Sequence, residues 1–259
     1  MEGYVEAPCL NDALVSKFAI IWDLETIPDL AAFKRMCGDP GMLDAEAEEL
    51  MGDKFAKLPL HLIACIGAVV AERGEWGWRV TALGAPHIGQ RPEPEIIAAF
   101  VARLEELRPQ LVAFNGHGFD LPVLRYRAMV HSLSAPGLNC RSYFNRYSED
   151  CLDLCDALAS YDARSKMKLD ALCRVLGLPG KPEGIDGSQV SEFVKQGRIQ
   201  EVADYCETDV VNTYRVFLRY ELFRGNITAD QHASSEADVE AMLRAKVGEK
   251  PHLASLLST

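Results

Sequence analysis

Three short apolar runs early in the chain, residues 18–22 (FAIIW), 60–71 and 76–83, limit the possible folds more than any other feature. They are rich in β-branched residues, and Glu72-Arg73-Gly74 supplies a turn between the second and third, so they read as three consecutive strands, the last two a hairpin. Between the first two, residues 28–57 carry DAEAEELMGDKF, whose charges predict a short solvated helix inserted into the connection.

Residues 94–107 repeat apolar side chains at the helical period, and Pro109 ends that helix before a buried strand at 111–114. Asp120-Leu-Pro then opens a helix running to about residue 133, with Asp120 placed to cap it. A short strand is expected at 151–154, and helices at 168–176, 189–197, 200–223 and near 237–245. A strand meander followed by alternating strands and helices predicts an α/β layered fold. One domain is expected over residues 1–259, with its core at about 18–227 and a C-terminal helical tail at 228–259.

A hydrophobic content of 48% supplies enough material for such a core. The net charge of −11 excludes nucleic-acid binding through a generally basic surface, so any such contact must be local. No apolar h-region opens the chain, and its longest apolar run falls well short of the ~20 residues of a spanning helix. No membrane association and a cytoplasmic location are therefore expected. The eight cysteines show neither a CxxC pair nor zinc spacing, and reduced thiols, several of them in the core, are the expectation.

Asp23 and Glu25 follow the first apolar run as D-x-E, and alternate strand residues project to the same side. Asp120 closes the turn Asn115-Gly116-His117-Gly118-Phe119, and Tyr205 and Asp209 share a face of the long helix one turn apart. Singly, each also fits a structural role, as a solvent-facing acid, an N-cap or a core ring. Cys206, Val210, Val211 and Tyr214 crowd the stretch holding Asp204, Glu207 and Asp209, which suggests that one of these acids turns inward.

In their order along the chain, D-x-E, N-G-x-x-F-D and Y-x-x-x-D resemble the motifs of the DEDD exonuclease superfamily. Tyrosine four residues before the last aspartate resembles its DEDDy branch; the histidine branch has His five before, where this chain has Asp204. The run IDGSQVSEFVKQGRIQEVADYCETDVVNTYRVFLRYEL, residues 185–222, is similar to stand-alone predicted 3′-5′ exonucleases related to the proofreading domain of family B DNA polymerases. The likeness covers about residues 18–227. It implies an RNase H-like (DnaQ-like exonuclease) fold, a mixed central sheet with helices on both faces. It further implies two Mg²⁺ or Mn²⁺ ions held by Asp23, Glu25, Asp120 and Asp209, with Asp23 bridging them and Tyr205 orienting the attacking water. The substrate implied is the 3′ end of single-stranded DNA or RNA, released as nucleoside 5′-monophosphates. Hard oxygen donors without His or Cys suit those ions better than zinc.

Residues 121–148 contain Arg125, Arg127, Arg141 and Arg146 and no acid, interleaved with Tyr126, Tyr143, Phe144 and Tyr147; with Asn115 and Phe119 they are the candidate strand-binding set. The same residues also fit a solvated helix with aromatic core positions. Asp153 reads as a capping or surface residue, and His117 as a loop residue. Two alternatives remain open on sequence: a catalytically silent nucleic-acid-binding module of the same fold, and another metal-dependent phosphoesterase.

Overall fold

The computed structural model describes residues 16–52, 56–180 and 187–257. Its strands are β1 (Phe18–Pro28), β2 (His61–Gly74), β3 (Gly77–Gly84), β4 (Gln110–Ala113) and β5 (Cys151–Asp153). Its α-helices are α1 (Leu30–Met36), α2 (Asp44–Met51), α3 (Glu93–Leu107), α4 (Asp120–Val130), α5 (Leu154–Leu158), α6 (Leu169–Val175), α7 (Val190–Lys195), α8 (Ile199–Phe223) and α9 (Ala229–Lys246).

The five strands form one mixed sheet in the order β3-β2-β1-β4-β5. β1, β2 and β3 pair antiparallel as the expected meander, whereas β4 lies parallel to β1 and β5 parallel to β4. Strand alternation sorts the core into two layers. Ala19, Ile21, Val69, Ala71, Val112 and Leu152 pack with Val210, Tyr214 and Phe217 of α8, and Ile20, Trp22, Val70, Leu111 and Cys151 pack with Ile97 and Leu104 of α3 and Leu124 of α4. Helices thus cover both faces, as expected.

Several boundaries depart from the sequence expectations. The first strand does not stop at Trp22: backbone pairing with β2 carries it to Pro28, with Asp23 opposite Gly67 and Glu25 opposite Cys65, so both acids sit inside the strand. The insertion forms two helices rather than one, with a small core of Phe33, Ala47 and Leu60. Asp29 caps α1 through its Oδ1, which accepts from the Ala32 N–H at 2.8 Å. α9 begins well before 237 because Thr228 and Gln231 form a capping box. The expected tail is part of the core, since Val239, Leu243, Leu253 and Leu256 join the layer under α8. Among the described residues no helix is long and apolar enough to cross a membrane.

Candidate active site

The carboxyl ends of parallel strands leave a crevice where loops diverge, and ligands of open α/β sheets collect there. The ends of β1, β4 and β5 form such an edge here, and each brings an acid to it. Asp23 and Glu25 share the β1 face that carries Ala19 and Ile21, and that face looks onto α8. The register slips between Glu25 and Thr26, a bulge of the kind that re-aims side chains next to functional sites.

Helix α8 approaches this edge closely because residue 67, opposite Asp23, is glycine. A Cβ there would lie 2.5 Å from Cys206 Sγ and 3.2 Å from the Cys206 carbonyl oxygen. Cys206 Sγ in turn lies 3.7 Å from the Asp23 carbonyl and 3.8 Å from its Oδ2. Asp23, Glu25 and Cys206 each present a possible ligand atom within 4.8 Å of the others. Tyr205 precedes Cys206, and Asp209 lies one helical turn beyond it on the same side; both are buried. Cys206 is absent from the sequence-derived site, although its spacing of three from Asp209 placed it on that helix face. Its thiol pKa is pushed up by contact with Cys65, by burial and by the Asp23 and Glu25 carboxylates.

The turn after β4 brings in Asp120. Asn115 takes a left-handed φ of +66°, and glycine at 116 leaves room for the turn, since a Cβ there would lie 2.8 Å from both Ala113 Cβ and Asp120 Oδ2. Asp153 fixes the turn by accepting from the N–H groups of Asn115 (2.8 Å) and His117 (2.9 Å), and it caps α5 through those of Cys155 and Asp156, so the capping role read for it holds. Asp120 does not cap α4, as the sequence suggested. It is the first helical residue, and its Oδ1 instead accepts from the Leu24 N–H at 3.3 Å, between Asp23 and Glu25 along the chain.

Burial, then the neighbouring Asp23 carboxylate, raise the Asp120 pKa well above the usual carboxylate range, with Asp153 adding to the effect. Such crowding of buried oxygens fits a site that takes up positive charge, because hard carboxylate donors suit Mg²⁺ or Mn²⁺ and a cation reverses the repulsion. It also sets a pH dependence. A raised folded-state pKa means that the folded chain binds this proton more tightly than the unfolded chain, whose value is about 3.9. The resulting stability is complete at low pH and declines as pH rises above about 4. In EDTA, the melting advantage of Asp120→Asn over wild type is therefore expected to grow from acid pH towards neutrality; parallel pH profiles would contradict this.

A family described as "Predicted 3'-5' exonuclease related to the exonuclease domain of PolB" matches residues 53–259. The chain belongs to that family. Among solved structures it is similar to the family B DNA polymerase from the hyperthermophilic archaeon Pyrobaculum calidifontis, with 16% identity and a TM-score of 0.50 over 90% of this chain and 29% of that one. The chain thus spans under a third of that polymerase's length, and the likeness shows the RNase H-like fold. Among curated proteins none matches. The first two residues of the family run at 185–222, Ile185 and Asp186, lie outside the described residues.

For an exonuclease of this family the substrate strand needs accessible cations, and the structure separates the candidates on that ground. Arg127 is corrected: only 2% exposed, it holds Glu93 through Nε (2.7 Å) and Nη2 (2.6 Å) and Asp29 through Nη1 (2.6 Å), leaving its guanidinium occupied in the interior. Arg141 is tied to Asp150 at 2.7 Å and to the Arg108 carbonyl at 3.0 Å. Arg125 is exposed and lies 4.7 Å over the Phe144 ring. Tyr143 is fully buried, its hydroxyl donating to the Pro109 carbonyl at 2.8 Å. Phe119 meets the His61 ring edge-on at 4.9 Å. Asn115 and Arg146 stay at the surface beside the Asp120 turn.

Proposed function

We propose that the chain is a metal-dependent 3′-5′ exonuclease that removes nucleoside 5′-monophosphates from the 3′ end of single-stranded DNA or RNA. The observation that carries this reading is the meeting of acids from distant segments at one sheet edge, with Asp120 docked on β1 and repelled by Asp23. Asp23, Glu25, Asp120 and Asp209 would hold two Mg²⁺ or Mn²⁺ ions. Asp23 would be central to that set, since its charge acts on Asp120 and it lies within 4.8 Å of ligand atoms of Glu25 and Cys206. Cations bound there would stabilise charge on the scissile phosphate and make water nucleophilic at neutral pH.

Tyr205 would orient the attacking water through its hydroxyl. A neutral phenol is a weak base, which suits it to positioning rather than to full proton abstraction. Tyr205→Phe is expected to lower kcat by about 10- to 100-fold while metal affinity stays at the wild-type value. A loss of metal affinity, read by calorimetry, would show that Tyr205 supports the ligands instead.

Matched 5′-labelled DNA and RNA oligonucleotides, single and double stranded, test the whole reading in Mg²⁺, Mn²⁺ or EDTA. Stepwise shortening from the 3′ end that EDTA abolishes is expected. Internal cuts would reassign the chain as another phosphoesterase, and tight binding without hydrolysis would make it a silent binding module.

A further inference from the structure

The turn that carries Asp120 is bordered by a group of exposed cations and rings outside the carboxylate cluster. Lys166 Nζ lies 2.7 Å from Asn115 Oδ1 and 2.7 Å from Asp156 Oδ1, while Arg146 holds Asp156 Oδ2 at 2.7 Å. The Asp156 side chain is 3% exposed, so it anchors both cations from beneath, leaving 43% of Arg146 and 28% of Lys166 open to solvent. The Arg146 guanidinium lies 5.7 Å over the Tyr161 ring, and Tyr161 meets Tyr147 with ring centroids 5.0 Å apart. Tyr147 is 73% and Tyr161 42% exposed.

Neither ring serves the core, and Tyr161 is held out at some cost. Ser160 and Tyr161 have left-handed φ values of +50° and +61°, a conformation that bulky residues rarely adopt. Nearby acids are engaged: Glu149 pairs with Arg224 at 2.7 Å and Asp162 with Arg164 at 3.2 Å. Arg146 and Lys166 share the single Asp156 carboxylate, so on a chain of net charge −11 this group keeps one cation in excess beside the active-site turn. Cations flanking exposed rings match a single strand, whose phosphates take the charges and whose unpaired bases offer π-faces.

We propose that Arg146, Lys166, Tyr147 and Tyr161 form a platform for the single strand leading into the active site, the cations contacting phosphates and the tyrosines stacking bases. This rests on the exonuclease reading above. The platform keeps Arg146 and Tyr147 of the set at 121–148 suggested by the sequence, which loses Arg127 and Tyr143 to the interior.

The test is fluorescence anisotropy of a 5′-fluorescein oligothymidine with the full chain in EDTA, alongside steady-state cleavage in Mg²⁺. Combining Tyr147→Ala with Tyr161→Gly is expected to weaken binding by about 30-fold or more, since each lost stacking contact is worth roughly 5-fold upward. Tyr161→Gly alone should not lower the melting temperature, because glycine relieves the left-handed backbone, whereas a structural tyrosine would lower it. Lys166→Gln should reduce the slope of log affinity against log salt by about 0.7. Wild-type binding that the double variant retains, with unchanged KM, overturns the platform and leaves the exonuclease reading intact. Loss of binding in the variant, with no cleavage by wild type, upholds a strand-binding platform and sinks the exonuclease reading; no binding by wild type overturns the platform, and Mg²⁺-dependent cleavage then decides the exonuclease reading on its own.

Discussion

Replacing Arg127 with methionine is expected to lower the melting temperature by about 10 °C, an effect worth about 3–5 kcal/mol. The guanidinium fills a buried junction of four elements. It takes both oxygens of Glu93 at the start of α3 and one of Asp29, the α1 cap, while Glu93 Oε1 also accepts from the Ile63 N–H of β2 at 2.8 Å. His131 adds a further contact to Glu93 at 2.6 Å. Methionine retains the volume but strands two carboxylates in the interior, and an unpaired buried charge costs far more than a surface pair ever contributes. Lysine restores only part, because one ammonium cannot reproduce a planar fork that spans two acids. Urea or thermal unfolding measures the loss, and a drop of under about 2 °C would show the junction to be dispensable. Activity should fall too, since Asp120 begins the same helix two turns earlier.

Asp23→Ala is expected to have the larger effect on chemistry and the opposite sign on stability. Asp23 faces Glu25, Asp120 and Cys206, so its removal takes away the central ligand of the proposed ion pair. Cleavage should fall by at least about a thousandfold. Without metal the same change relieves repulsion, and the Asp120 carboxyl moves back towards its ordinary range, so melting in EDTA should rise by about 2–4 °C. Added Mg²⁺ should then stabilise wild type and leave the variant unmoved, because only a state that binds the ion gains from it. A variant that melts lower than wild type in EDTA would mean that Asp23 holds the fold rather than the ions.

The meander and the helix-period segments were legible in the sequence because they depend on local pattern. The order of three motifs picked out Asp23, Glu25, Asp120, Tyr205 and Asp209, and of these the fold docks Asp120 on β1 beside Asp23. What escaped was set by distant partners. Hydropathy ended the first strand at Trp22, yet pairing to β2 continues it through two acids, which strand propensity disfavours. Arg127 looked like a surface cation, and only the fold brings Asp29 and Glu93 to it. Of Asp204, Glu207 and Asp209, two turn inward rather than one: Glu207 is 2% exposed, paired with Lys250 and hydrogen-bonded to His252 Nε2 at 2.9 Å. Burial alone would raise the Glu207 pKa, but the hydrogen bonds from His252 and Lys250 prevail and hold it below the usual range. Those partners come from a segment more than forty residues away, beyond the reach of any helical period.

Calorimetric titration of Mn²⁺ into wild type and Asp23→Ala at neutral pH addresses the shared-ion site most directly. Wild type is expected to take up two ions per chain and the variant to lose at least one of them. Equal stoichiometry and affinity in both proteins, or no uptake by wild type, would contradict a metal centre built from these acids.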